Sequence, residues 1–203
     1  MGSQRDRERK NDEKKVASLD KIVKKMREYG QILFSKNLID TRSGNVSVKL
    51  DKNKLLIKKT GASMPYMTKK DVITLPIYEE TEKDKLASSD LKIHRQIYIE
   101  SEKRNKNINA VLHCHMPEAV AISFFEDEII PPDYEAQYFI KKIKVSEYDR
   151  VPEYVAEFKL CIAKGHGVFA GGKDLDEALF LTLALHNSLK ILLLKTLLEK
   201  IKA

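Results

Sequence analysis

A chain of 203 residues, 42% hydrophobic and 33% charged, is long enough for one sizeable core and fits a globular protein of the water phase. The net charge of +7 comes from lysines interleaved with acids. No nucleic-acid-binding motif accompanies them, which excludes nucleic acid as the expected partner and leaves a mild attraction for anionic substrates. Cys114 and Cys161 lie in apolar runs without a CxxC pair, no secretory signal opens the chain, and the apolar runs fall short of a membrane span. These features lead us to expect reduced thiols in a cytoplasmic protein with no membrane partner.

Residues 1–13 are charged throughout and read as a flexible tail, with one domain from residue 14 to residue 203. Leu19, Ile22, Val23, Met26, Leu33 and Phe34 mark an amphipathic helix ending near Asn37. Ser43-Gly44-Asn45 makes a turn, and Val46–Leu50 and Leu55–Lys59 form a hairpin. A strand follows near Val72–Leu75, then a polar loop at 79–85. Ser89 reads as the cap of a helix through Leu91, Ile93, Ile97 and Tyr98. Ile108–His113 suits a buried strand, and Pro117 starts a short helix. Residues 134–143 fit helix and strand equally. A helix over Val151–Phe158, strands at Leu160–Ala163 and Val168–Ala170, and a long helix over Leu175–Leu198 complete the chain. The fold class is therefore α/β, a single domain whose central, largely antiparallel sheet is covered by helices.

His113-Cys114-His115 ends an apolar run. Residues i and i+2 of a strand share a face, so two imidazoles at a strand end can grip one cation. His166, between two glycines in a tight turn, is a candidate third ligand. Three imidazoles leave a coordination position open, as catalytic zinc sites do. Cobalt, manganese and iron accept the same donors. His94 and His186 read as hydrogen-bonded helix residues. Gly44-Asn45, Thr60-Gly61 and Ser88-Ser89 pair small residues with hydrogen-bonding ones, and together they suit a phosphate cradle without a P-loop.

Ser43-Gly44-Asn45-Val46-Ser47, Lys59-Thr60-Gly61, Ser88-Ser89-Asp90 with His94, His113-Cys114-His115 and Gly165-His166-Gly167 occur in the order that characterises the class II aldolase/adducin family. The chain resembles that family from about Val16 to Leu198. The resemblance implies a class II aldolase-like fold, a homotetramer with active sites at subunit interfaces, and Zn2+ on His113, His115 and His166. It also implies phosphate binding by Gly44, Asn45, Thr60, Gly61, Ser88 and Ser89, and an acid/base carboxylate at Asp90. A tyrosine supplied by a neighbouring subunit falls at Tyr134. The implied substrate is a phosphorylated sugar, a ketose 1-phosphate cleaved reversibly to dihydroxyacetone phosphate and an aldehyde. A metal would stabilise the charge that cleavage leaves behind, and the carboxylate would move a proton at carbon.

One position departs from the aldolase pattern. The family's sugar-phosphate aldolases carry Glu where this chain has Asp90, whose reach is shorter by about one carbon–carbon bond, roughly 1.5 Å. Aspartate there resembles the family's sugar-phosphate epimerases, in which it ligates the metal. Those enzymes also use a tyrosine near the C-terminus, and no tyrosine follows Tyr154 here. A dehydratase, in which Glu135 would be the acid/base, and a non-catalytic interaction module are the remaining alternatives.

Overall fold

The structure is a computed structural model that describes the backbone of residues 4–202 and the side chains of residues 18–202. Helix α1 (Gln4–Ser35) opens it. The helix closes where Asn37 turns left-handed at φ 58° and the Leu38 N–H reaches back to the Leu33 carbonyl at 2.9 Å. Helical backbone from Gln4 runs through residues 4–13, where the charge pattern suggests a tail; residues 1–3 lie outside those described. Strands β1 (Asn45–Lys49) and β2 (Lys54–Lys58) form the expected hairpin, its turn tightened by the Asp51 side chain accepting from the Asn53 N–H at 2.8 Å.

The remaining elements are β3 (Val72–Pro76), α2 (Leu91–Lys103), β4 (Ala110–Cys114), α3 (Pro117–Ile122), β5 (Glu128–Ile129), α4 (Tyr134–Phe139), β6 (Ile143–Ser146), α5 (Val151–Phe158), β7 (Leu160–Ala163), β8 (Gly167–Gly172) and α6 (Leu175–Lys202). The strands build one sheet in the order β3-β2-β1-β4-β8-β7-β6-β5. Every neighbouring pair is antiparallel except β6 and β7, so the largely antiparallel α/β sheet expected from sequence is present.

Alternation along the strands sends side chains to two apolar layers. Val46, Leu56, Leu112, Cys114 and Val168 meet Val23, Met26 and Leu33 of α1 and Leu181, Leu185 and Leu189 of α6. Leu55, Ile57, Val111 and Phe169 face Ile93, Ile97 and Tyr98 of α2 and Val151 and Val155 of α5. Each fully buried large apolar side chain contributes about 1.5–3 kcal/mol before entropy is counted. With both faces covered, the ends of the central strands β1, β4 and β8 remain as the place where polar side chains can gather.

Two local expectations need correction, and one open stretch is resolved. The N-cap of α2 is Asp90, not Ser89, and its carboxylate accepts nothing from the helix because it is engaged elsewhere. Residues 134–143 divide into α4, capped by Asp133 accepting from the Ala136 N–H at 2.9 Å, and the start of β6; two- and four-residue strands such as β5 and β6 are too short to show a period. Helix α6, at 28 residues, is long and apolar enough to cross a membrane by length and composition, contrary to the expectation that no apolar run reaches that length. Its first half is instead a core helix, lying against the sheet through Leu181, Leu185 and Leu189.

Candidate active site

Strand register brings the distant motifs together. Asn45 of β1 pairs with His113 of β4, and His113 pairs with Phe169 of β8. The Phe169 ring stacks on His113 at 4.0 Å between centroids and forms a floor beneath it. Just past the strand end, the His115 N–H is held by the Leu38 carbonyl at 2.9 Å. The turn carrying His166 is tied down by the Gly165 N–H donating to Ser123 Oγ at 2.9 Å. Gly167 permits this approach: a Cβ there would lie 2.4 Å from the Cys114 carbonyl oxygen and 3.1 Å from the His113 ring.

The three imidazoles consequently converge, with their ligand atoms all within 4.8 Å of one another. His113 Nδ1 lies 2.9 Å from the Val168 carbonyl, which can only accept, so Nδ1 carries the proton and the Nε2 lone pair faces His115 Nε2 at 3.0 Å. A backbone carbonyl on the far nitrogen is the usual support of a metal-ligating histidine. Burial drives His113 down to about 3, well into the neutral form that a cation requires. Burial and the neighbouring His166 lower His115 as well. This donor set fits a divalent transition metal.

Asp90 Oδ2 is 3.6 Å from His113 Nε2. Asn45 Nδ2 donates to the same oxygen at 2.5 Å, and the Tyr148 hydroxyl donates to Oδ1. Burial would raise the Asp90 carboxyl, whereas the hydrogen bonds from Tyr148 and Asn45 favour its charged form, and the group lies below the ordinary carboxylate value. The Tyr148 hydroxyl is displaced upward, first by burial and then by the charge it serves.

A cleft of about 140 Å³ opens beside these groups and is lined by every polar-loop residue singled out from sequence: Gly44, Asn45, Thr60, Gly61, Ser88 and Ser89. Asp90, His115 and His166 border it too. Two loops form its wall because the Ser88 N–H donates to the Lys58 carbonyl at 3.0 Å and the Thr60 N–H to the Leu86 carbonyl at 3.1 Å. Gly44, at φ 71°, takes a backbone geometry in which a Cβ would strike Ile39 at 2.5 Å.

All this describes a known architecture. The chain matches the Class II Aldolase and Adducin N-terminal domain over residues 24–193. The chain belongs to the class II aldolase and adducin family. An L-fuculose phosphate aldolase of Methanocaldococcus jannaschii is 30% identical over 175 residues, 83% of this chain and 93% of that protein. The crystal structure of l-fuculose-1-phosphate aldolase from Thermus thermophilus superposes with a TM-score of 0.79 at 30% identity, covering 89% of this chain and 97% of that one. A methylthioribulose-1-phosphate dehydratase of Pseudomonas aeruginosa is 23% identical over 183 residues, 79% of this chain and 87% of that protein.

Within this class II aldolase framework, two residues of the site, Lys58 in the cleft wall and Tyr148 behind Asp90, carry no sequence signal. Lys58 is buried and lines the cleft, and its Nζ donates to the carbonyls of Ala62 (2.7 Å) and Arg42 (3.3 Å). Burial pulls its ammonium below the ordinary lysine value, while Asp90 acts the other way. Tyr148 sits in the short turn after β6, edge-on to His166; recognising it would have required the β6–β7 pairing. Tyr134, by contrast, starts α4 with 87% of its surface exposed, and it does not line the cleft of its own chain.

Proposed function

We propose that the chain is a zinc-dependent aldolase that reversibly cleaves a ketose 1-phosphate of the L-fuculose 1-phosphate type to dihydroxyacetone phosphate and a small aldehyde. The observation that carries this reading is the convergence of His113, His115 and His166 beside Asp90 at the mouth of a cleft lined by Asn45, Thr60, Gly61, Ser88, Ser89 and Lys58. The name shared by the archaeal relative and the Thermus structure supports the same substrate class.

His113, His115 and His166 would hold the zinc ion, which supplies a Lewis acid for the negative charge that develops when the carbon–carbon bond breaks. Lys58 and the N–H and hydroxyl groups of the two loops hold the phosphate and so place the sugar carbons over the metal side of the cleft. Asp90, kept ionised by its hydrogen bonds, takes and returns the proton at the carbon that acts as nucleophile. Tyr148 and Asn45 aim that carboxylate.

Active sites at the subunit interfaces of a homotetramer complete the proposal. Phe124 and Phe125 are 61% and 85% exposed, and Phe124 borders the His166 turn, within 3.4 Å of where a Gly165 Cβ would stand. Tyr134 and the exposed Leu194, Leu197 and Leu198 of α6 add apolar surface. In such an assembly Tyr134 would protonate the aldehyde oxygen in a partner's cleft. Cys114 and Cys161, buried and unpaired, support a cytoplasmic location.

One observation favours a second reading. Asp90 stands close enough to His113 to join the metal ligands, as in a sugar-phosphate epimerase, and a dehydratase is among the relatives. Incubation of the zinc-loaded protein with dihydroxyacetone phosphate and a panel of aldehydes decides between them. New ketose 1-phosphates are expected; dehydration or epimerisation of a phosphorylated sugar, with no carbon–carbon bond made, would replace the aldolase reading. His115→Ala is expected to remove zinc and activity while far-ultraviolet circular dichroism stays unchanged, and full zinc content in that variant would refute the ligand set.

A further inference from the structure

Behind Asp90 a chain of polar side chains runs into the core. Asn45 Oδ1 lies 2.6 Å from His94 Nε2, His94 Nδ1 lies 2.7 Å from Ser47 Oγ, and Ser47 Oγ lies 2.7 Å from the Tyr98 hydroxyl. His94 and Ser47 are wholly buried and Tyr98 almost so. Asn45 and Ser47 share one face of β1, and Asp90, His94 and Tyr98 recur at helical spacing along α2, so the two elements meet over this row.

The donors can be assigned from chemistry. An ionised carboxylate only accepts, so Asn45 presents its NH₂ to Asp90 and its carbonyl to His94. His94 Nε2 must then carry a proton. Burial lowers His94 to about 4, so the ring is neutral and Nδ1 is an acceptor for the Ser47 hydroxyl. Ser47 in turn accepts from Tyr98. Every hydrogen bond in the row points the same way, and reversing any one leaves two acceptors or two donors in contact in a buried site, where an unmade hydrogen bond is costly.

We propose that His94, locked as the Nε2–H tautomer by Ser47 and Tyr98, is a positioning residue that holds the Asn45 amide in the one orientation that aims the Asp90 carboxylate at substrate. His94 touches neither the cleft nor the three metal-candidate histidines through a hydrogen bond; it acts through Asn45. The catalytic consequence rests on Asp90 being the proton carrier of the aldolase reading, whereas the tautomer does not.

Two measurements test it separately. In a long-range proton–nitrogen spectrum of zinc-loaded, histidine-labelled protein, the His94 ring, assigned by its loss in His94→Gln, is expected as the neutral Nε2–H tautomer at pH 7. An Nδ1–H tautomer or an imidazolium overturns the proposal whether or not the protein is an aldolase. In kinetics, His94→Gln keeps a donor near the Nε2 position, whereas His94→Asn reaches only the Nδ1 position. His94→Asn is expected to lose about a hundredfold in kcat, the scale of a small misplacement of a catalytic group, and His94→Gln to stay at least about tenfold above it. Equal rates in the two variants would remove the positioning role. Absence of aldol chemistry in the parent protein would count against the function and leave the spectrum to decide the tautomer.

Discussion

The Tyr148 hydroxyl donates to Oδ1 of Asp90, a partner 58 residues earlier in the chain, while Asn45 holds the other oxygen. Both bonds favour the charged carboxylate over the acid. Tyr148→Phe removes one of them without changing the ring that stands edge-on to His166. With less support for its charge, Asp90 binds its proton more tightly. The acid limb of the kcat/KM profile is therefore expected to move to higher pH, with little change in metal content. A limb that stays in place would show that Asp90 is not the group whose ionisation limits the rate.

Lys58 is an ammonium kept in a buried cleft by two carbonyls rather than by a carboxylate. Such a cation is costly to bury alone and gains when an anion arrives. Lys58→Met preserves length and removes the charge. KM for the ketose phosphate is expected to rise about tenfold or more, in line with about 1.5–3 kcal/mol for a charge-assisted hydrogen bond, with a smaller effect on kcat. Stability is expected to hold or to increase, because the desolvated charge is gone. An unchanged KM, measured by initial rates against substrate concentration, would place the phosphate elsewhere.

Much of this site was legible in the sequence, because its chemistry is encoded by short patterns. His113-x-His115 announces a shared strand face, glycines mark His166 as a turn residue, and Thr60-Gly61 and Ser88-Ser89 read as polar loops. Register then does what no local window can show, pairing Asn45 with His113 and His113 with Phe169. Tyr148 stayed hidden because its place depends on the parallel β6–β7 pairing, made by strands of four residues each. Lys58 looks like any of the many surface lysines; only the crossing of the two loops turns it inward. Local pattern places the cap of α2 one residue early, since Ser89 and Asp90 both have capping side chains and nothing local shows that the aspartate is occupied by Asn45.

His94 ties stability to pH. Its folded value, about 4, lies below the ordinary 6.5, because burial penalises the imidazolium more than Asp90 favours it. Between these values the unfolded chain binds a proton that the folded chain refuses, so stability falls as pH drops through 6.5 and levels off below about 4. The full loss from this ring is on the order of 3 kcal/mol. Urea unfolding at intervals from pH 7 to pH 4 is expected to show a steeper decline for the parent protein than for His94→Gln, which has nothing to titrate at that position. Parallel curves would mean that His94 is protonated in the folded protein or already neutral in the unfolded one.

Gly167 offers the sharpest separation between the fold and its candidate metal site. An alanine methyl there would stand 2.4 Å from the Cys114 carbonyl oxygen, 3.1 Å from the His113 ring and 3.2 Å from the His115 ring. Backbone on one side and two imidazoles on the other leave it no free direction, so the start of β8 must draw away from the end of β4. Overpacking of this kind costs about 1–3 kcal/mol, which for a chain of this size lowers Tm by roughly 2–12 °C at about 2–4 °C per kcal/mol. The same shift carries the His166 turn away from the HxH pair. Gly167→Ala is therefore expected to remain folded while its zinc affinity, measured by competition with a chelator, falls at least about tenfold, the lower end of what disturbed ligand support costs. Parent-like affinity in a folded Gly167→Ala protein would mean that the close approach of β8 to β4 is not what assembles the three imidazoles.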